Sequence, residues 1–339
     1  MKVLVTGGTG YIGSHTVVEL QKKGYEVVIV DDLSNSSAGV VDAIALITGT
    51  RPLFEKFDLT DESKTAEFFT RHPGLVAVIH FAAYKAVGES VEFPLKYYRN
   101  NLGSLVSILR GMNDHGIPNL VFSSSCTVYG NPDQLPVSEE APVKKAISPY
   151  GNTKQISEEI ITDLVTATPL RAILLRYFNP IGAHDSALIG ELPIGVPNNL
   201  MPFITQVASG KRDFLRVWGK DYGTPDGTAV RDYIHVVDLA EAHVVALERM
   251  LNEKMKQGAE IFNLGTGIGY SVMDVIGSFE RSTGVKLDYR FMERRPGDVE
   301  KVWADPARAN QELGWRALRS LDEMTLSAWK WEQAVSSAK

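Results

Sequence analysis

The first half of the chain repeats one pattern: a short apolar run, a turn, then a stretch in which apolar residues recur every three or four positions. Apolar runs of this length suit strands buried on both faces, and the 3.6-residue recurrence suits amphipathic helices. The pattern predicts strands at 2–6, 26–30, 52–57, 75–80 and 118–124, with helices at 11–23, near 38–47, at 62–71 and at about 89–114. A helix at 149–167 and a strand at 170–176 (LRAILLR) extend the series. Strands alternating with helices, with no internal repeat, predict an α/β fold built on a doubly wound parallel sheet.

Beyond residue 178 the character changes. Proline and glycine cluster between 180 and 197, and 219–228 (GKDYGTPDGT) reads as a further loop, so the chain leaves the sheet there. The segments 231–251 and 260–267 recover the helix and strand patterns and are expected to return to the first domain. At 339 residues the chain exceeds the usual size of a single core. The expected division is one domain of 1–178 plus about 231–267, and a smaller discontinuous cap of about 179–230 plus 268–339.

The first turn carries chemistry. In KVLVTGGTGYIG (2–13) a strand breaks into Gly7-x-x-Gly10-x-x-Gly13 and then into a helix. Glycines let the backbone turn tightly and approach a pyrophosphate, and the helix start aims its N–H groups at the anion. The second strand (EVVIV, 26–30) ends in Asp31-Asp32, about 20 residues past the glycines, where a carboxylate accepts a ribose 2′-hydroxyl and repels a 2′-phosphate. The order of strand, glycines, helix, strand and acid makes the first domain a Rossmann domain with NAD as its cofactor.

Tyr150-Gly-Asn-Thr-Lys154 opens a predicted helix, and a spacing of four puts phenol and ammonium on one face. A tyrosine with its ordinary pKa near 10 is a poor base at neutral pH, and a fixed lysine beside a cationic nicotinamide would stabilise its phenolate. Strand 118–124 ends in Ser123-Ser124-Ser125, at the carboxyl edge where open α/β sheets bind ligands. A hydroxyl there can share a substrate proton with Tyr150.

Composition removes other classes. Net charge is −6 and no basic stretch is interleaved with aromatics, so nucleic acid is not an expected partner. Strand residues begin at Lys2, leaving no room for a signal peptide, and no apolar run reaches membrane-spanning length. The only cysteine, Cys126, excludes an internal disulfide and suits a reducing compartment. A cytoplasmic protein without a metal is expected.

These residues carry a resemblance. GGTGYIGSH (7–15), DDLSNSS (31–37), HFAAYKAVGESV (80–91), FSSSCTVYG (122–130), SPYGNTK (148–154), RYFNPIGAH (176–184), RDYIHVVDLA (231–240), FNLGTG (262–267) and RRPGDVEKVWAD (294–305) occur in the order seen in one family. Over essentially its full length the chain resembles the UDP-glucose 4-epimerases of the extended short-chain dehydrogenase/reductase superfamily.

The resemblance implies Tyr150 as the base, Lys154 as its tuner and ribose ligand, and Ser125 as hydrogen-bond partner of the sugar O4. It implies NAD contacts at Gly7, Gly10, Tyr11, Ile12, Gly13, Asp31, Asp32, Leu33, Asn35, Ser36, Asp58, Leu59, Phe81, Ala82, Ala83, Lys85, Asn100 and Phe178. UDP-sugar contacts would fall on Asn179, Asn199, Leu200, Arg216, Val217, Trp218, Arg231, Arg295 and Asp298. Val302 falls at the family's size gate beside the hexose C2 substituent, where a small residue admits an N-acetyl group. Trp218 replaces a smaller aromatic beside the base, and Cys126 stands where alanine is usual. The family implies a homodimer through the helices near 89–114 and 149–167.

Other enzymes of the superfamily acting on nucleotide sugars, a uronate epimerase or decarboxylase and a 4,6-dehydratase, share most of this pattern. The dehydratase resembles a subfamily with an Asp-Glu pair where this chain has Cys126-Thr127. A silent NAD-sensing module typically loses the tyrosine or lysine, and both are present here.

Overall fold

The computed structural model describes residues 1–197, 199–294 and 299–337. In chain order the first part runs β1 (Lys2–Thr6), α1 (Tyr11–Lys22), β2 (Glu26–Asp31), α2 (Gly39–Thr48), β3 (Leu53–Lys56), α3 (Glu62–Arg71), β4 (Leu75–His80), α4 (Val87–Glu92), α5 (Pro94–Asp114), β5 (Asn119–Ser125), α6 (Pro149–Ala167) and β6 (Arg171–Tyr177). It continues through β7 (Asn179–Ile181), α7 (Leu200–Ala208), β8 (Leu215–Trp218), β9 (Val230–Arg231), β10 (Tyr233–His235), α8 (Val236–Leu251) and β11 (Ala259–Leu264). Last come β12 (Tyr270–Ser271), α9 (Val272–Thr283), β13 (Tyr289–Met292), β14 (Lys301–Val302) and α10 (Leu321–Ser337).

Seven of these strands form one parallel sheet in the order β11-β6-β5-β4-β1-β2-β3. The chain reverses direction across the sheet between β1 and β4, and a crevice opens at such a switch point, outside the carboxyl ends of the strands. Register brings those ends level: Thr6 pairs with Val30 and His80, His80 with Phe122, and Ser125 with Tyr177.

The inner strands face two cores, whereas β3, at the edge, is partly exposed. On β1, Val3 and Val5 pack with Val17, Ile44 and Leu247 of α1, α2 and α8, whereas Leu4 packs with Phe68, Ile108 and Ile161 of α3, α5 and α6. A strand with no solvated face has no polar positions to show, which is why these strands read as continuous apolar runs.

The helix expected at about 89–114 is two helices. Phe93 has φ −125° and ψ 61°, outside the helical region, and Pro94 starts α5. A residue before proline is pushed out of the α region by the ring, and that local constraint overrides the apolar periodicity running across it.

A third core lies off the sheet: Met201 and Ile204 of α7, Leu215 and Val217 of β8, Ile276 and Phe279 of α9, and Met324 of α10. Its small sheets, β13 against β8 and β12-β9-β14, hold strands of only two to four residues. No helix among the described residues is long and apolar enough to cross a membrane.

Candidate active site

The glycine turn is built by close approach. Gly7 has φ +67°, and a Cβ there would stand 2.8 Å from the Ala82 backbone nitrogen. A Cβ on Gly13 would stand 2.2 Å from the Gly7 carbonyl oxygen, so α1 packs directly on the turn. Gly10 caps α1 without any side-chain hydrogen bond, leaving the helix start for an anion. Asp31, buried at the end of β2, accepts from the backbone of Thr9 at 3.2 Å and Leu33 at 2.9 Å and from Ser36 Oγ at 3.0 Å. A carboxylate has about four acceptor positions, so one remains for a ribose hydroxyl while the other three fix the 31–36 loop against the glycines.

Most of the remaining residues expected on the cofactor side follow the carboxyl ends of β2, β3, β4 and β6. Phe81 and Ala82 follow β4, with Phe81 N donating to Thr6 O at 3.1 Å and Ala82 N to Thr6 Oγ1 at 3.4 Å. Ala83 continues that loop, and Lys85 beyond it holds its ammonium 5.7 Å from the centre of the Tyr11 ring. Asp32 and Asp58 cap local turns through Ser34 N and Thr60 N, both at 2.8 Å, and Asp58 and Asn35 are exposed. Leu59 turns its side chain into one core beside the sheet, and Ile12 packs half-buried against the other. Phe178 packs in a fourth cluster with Val128, Tyr129, Val137 and Val302.

Lys154 and Tyr150 share the first turns of α6, where Pro149 sits at the start and Ser148 Oγ caps Gly151 N at 3.1 Å. Lys154 is 4 % exposed; its Nζ donates to the Ser123 carbonyl at 2.5 Å and sits 4.7 Å from the Phe122 ring centre. Burial lowers its ammonium to about 8, against the field of Glu158, so it is cationic at neutral pH. Burial pushes the Tyr150 phenol up to about 12, opposed by a hydrogen bond with Ser125, with Cys126 adding to the rise.

The three serines divide their work. Ser123 Oγ bonds the Tyr177 hydroxyl, and Ser124 Oγ donates to Glu158 at 2.5 Å. Of the three, Ser125 is the one that favours the Tyr150 phenolate. Its oxygen accepts the Thr127 N–H at 3.3 Å, which leaves the Ser125 proton free to be donated. Cys126 beside it has its thiol raised to about 12 by burial, which makes it a poor nucleophile.

Several supports escaped the sequence reading. Glu158, one turn after Lys154, forms a buried bidentate pair with Arg176 at 2.9 and 2.6 Å. Asn101, next to the expected cofactor contact Asn100, ties the loop after β4 to α6, bonding Tyr84 N and O at 2.9 and 3.0 Å and Thr153 Oγ1 at 3.1 Å. Asp232, buried beside Arg231, accepts from Thr266 N at 2.8 Å, Gly267 N at 3.0 Å and Ala304 N at 3.1 Å, joining β9, β11 and the segment after β14. A polar residue next to an apolar stretch was the available signal for each. Their partners lie too far off in sequence to be paired by spacing.

The residues expected on the substrate side fall on β7, β8, β9, β14 and the start of α7. Arg216 and Trp218 share the outward face of β8, whereas Val217 is fully buried and offers only its backbone. Asn179 N donates to Asp232 O at 3.0 Å, and Asn199 and Leu200 stand at the start of α7. Arg231 and Val302 are direct neighbours in the β9–β14 pair. Val302 is only 9 % exposed and fills the cluster behind Phe178. Arg295 and Asp298 lie outside the described residues.

The parallel sheet with its glycine turn defines a dinucleotide-binding α/β protein, with a tyrosine and a lysine one turn apart at the start of α6. Residues 3–265 match the model of the NAD dependent epimerase/dehydratase family. The UDP-glucose 4-epimerase of Bacillus subtilis (strain 168) is 52% identical over 335 residues, covering 98% of this chain and 97% of that protein. The crystal structure of UDP-glucose 4-epimerase from Stenotrophomonas maltophila, with bound NAD and formylated UDP-arabinopyranose, is 50% identical and superposes with a TM-score of 0.96 over 100% of both chains. That from Bifidobacterium longum, in complex with NAD+ and UDP, is 44% identical with a TM-score of 0.95, again over 100% of both. The chain belongs to the NAD dependent epimerase/dehydratase family, among its UDP-glucose 4-epimerases.

Proposed function

We propose that this chain interconverts UDP-glucose and UDP-galactose through a 4-keto hexose, with NAD retained throughout. The observation that carries the reading is the meeting of Ser125, Tyr150 and Lys154 at the carboxyl edge of β5, beside the crevice where the glycine turn of β1 faces the loop after β4. The residues present fit the cofactor: an uncapped helix start for a pyrophosphate, Asp31 for a ribose, and Lys154 for the nicotinamide end. NAD, when bound, supplies a hydride acceptor that returns what it takes, together with positive charge near the reacting carbon.

The chain moves the proton. Tyr150 takes the O4 proton and later gives it back, and Ser125 donates a hydrogen bond that tracks the charge passing between them. Bringing a phenol from about 12 to neutrality requires roughly 7 kcal/mol of phenolate stabilisation. Lys154, fixed on β5 and cationic, is placed to provide part of it. Asn179, Asn199, Leu200, Arg216, Trp218, Arg231, Arg295 and Asp298 are proposed to hold the UDP moiety, so that the hexose turns over while its anchor stays fixed. The proposed domain division follows from this assignment, with residues 1–178 and about 231–267 binding NAD and the remainder binding the UDP-sugar.

Purified protein is expected to convert UDP-galactose to UDP-glucose without added NAD and to release NAD or NADH, not NADP, on denaturation. Extraction of NADP alone, or no conversion, overturns the reading. A cytoplasmic homodimer is part of the proposal. Val91, Phe93 and Leu95 around the α4–α5 junction and Val106 on α5 expose apolar surface, and a partner would cover it. Light scattering at monomer mass would remove that part.

UDP-N-acetylglucosamine is proposed as a further substrate, because Val302 is small for the position it occupies. Val302→Tyr is expected to abolish turnover of the N-acetyl sugar while retaining that of UDP-glucose, with a loss of stability of about 1–3 kcal/mol because the added ring overpacks the Phe178 cluster. Equal loss of both activities would show that Val302 acts only as packing.

A further inference from the structure

Glu191 lies in the loop between β7 and α7 with its side chain only 12 % exposed. One of its oxygens, Oε1, accepts from two donors: Lys85 Nζ at 3.3 Å and Asn199 Nδ2 at 2.7 Å. Its backbone carbonyl accepts the Trp331 indole N–H of α10 at 3.0 Å, which fixes the residue from behind. The carboxylate therefore stands on an immobilised backbone.

The two donors come from opposite sides of the cleft. Lys85 extends the loop whose Ala82 backbone packs on Gly7, and its ammonium stands near Tyr11, the first residue of α1. A cation over the ring of the residue that opens an uncapped helix adds positive charge on the dinucleotide side. Asn199 occupies the N-cap of α7, yet its side chain makes no capping bond to the helix and gives its amide to Glu191 instead. Asparagine ranks among the preferred N-caps because it satisfies the first-turn N–H groups. Pro202 has no N–H, so the first-turn donors of α7 are those of Leu200 and Met201, which no side chain caps and which face the substrate side of the reading above. Both walls thus keep an anion-ready helix start, and a single carboxylate oxygen ties them together.

We propose that Glu191 is a positioning residue that couples NAD retention to occupancy of the UDP site, an inference that rests on the NAD and UDP-sugar reading above. UDP seated at the start of α7 orders Asn199, and Asn199 fixes Glu191 Oε1. A fixed Oε1 holds Lys85 across the mouth of the dinucleotide crevice. The ordering is common to both ligands, so each slows the loss of the other.

The test follows NAD release from purified holoenzyme, diluted into a scavenger of free NAD, with and without saturating UDP. UDP is expected to slow release about tenfold in the parent protein, within the usual range of such couplings. In Glu191→Gln the amide oxygen still accepts from Asn199 but holds the ammonium without the charge that anchors it, and the UDP effect is expected to shrink below twofold, with UDP still bound and the melting temperature little changed. Lys85→Met removes the other end of the bridge and should do the same. Combining the two should add nothing further, because both cut one connection. A parental UDP effect in Glu191→Gln or in Lys85→Met, or none in the parent protein, overturns the inference. Protein that carries no dinucleotide at all overturns the underlying reading instead.

Discussion

Tyr150→Phe is expected to lower kcat for UDP-galactose by about 10³ while leaving NAD and UDP bound at parental affinity, because a positioned proton acceptor contributes typically 10²–10⁴-fold. The substitution removes one oxygen. The ring keeps its place on α6, where Pro149 and the Ser148 cap set the helix start independently of the phenol. Ser125 still receives the Thr127 N–H at 3.3 Å and keeps its proton to donate, so the ground-state contact to the sugar oxygen survives. An interaction made chiefly in the transition state lowers kcat and kcat/KM together. Removing the phenol also removes the group that burial holds near 12, so the residual activity should lose the rise with pH that phenol ionisation gives the parent. Steady-state kinetics from pH 6 to 9, with NAD content measured on the same samples, checks both parts. Near-parental turnover would remove Tyr150 as the base.

The same region shows what a sequence reveals and what it withholds. The inner strands of the main sheet are legible because burial on both faces leaves little room for polar positions: Val3, Leu4 and Val5 face opposite cores and read as one run. The cap is not legible in that way. β9, β12 and β14 are two residues long, which is too short for any period to register. The break at Phe93–Pro94 was marked by its proline, yet the apolar recurrence ran across it unbroken. Within the site, Tyr150 and Lys154 are four residues apart on one helix, so local geometry makes them neighbours before any tertiary structure is known. Asp232 meets Thr266 and Ala304, and Glu191 meets Lys85, only because the sheet and cap fold together. Direction was withheld as well: Val217 and Leu59 sit at the expected positions but turn their side chains into the cores.

Lys154→Met carries the second large effect, and it has opposite signs for catalysis and for stability. Losing the cation should reduce turnover by orders of magnitude and move the pH–rate profile upward, since the phenolate of Tyr150 loses a stabilising charge. Stability should go the other way at neutral pH. Burial lowers the Lys154 ammonium from its ordinary 10.5 to about 8, so folding works against the protonated form. A group whose folded pKa lies below its unfolded one adds stability as pH rises from the first value to the second and gives none of it below the first. Below about pH 8 the parent therefore carries the full penalty, on the order of 3 kcal/mol. Methionine has no charge to bury and fills a similar volume over the Phe122 ring. It gives up the ammonium's hydrogen bond to the Ser123 carbonyl, worth about 1.5–3 kcal/mol and so no more than the penalty removed. The variant should thus unfold at a temperature equal to or above that of the parent at pH 7, with its advantage shrinking steadily between pH 8 and 10.5. Thermal unfolding of both proteins across that range measures the difference directly. A variant that is less stable at pH 7, with a gap that does not change with pH, would mean that the buried ammonium imposes no such penalty and that Lys154 holds the fold together as well as serving the base.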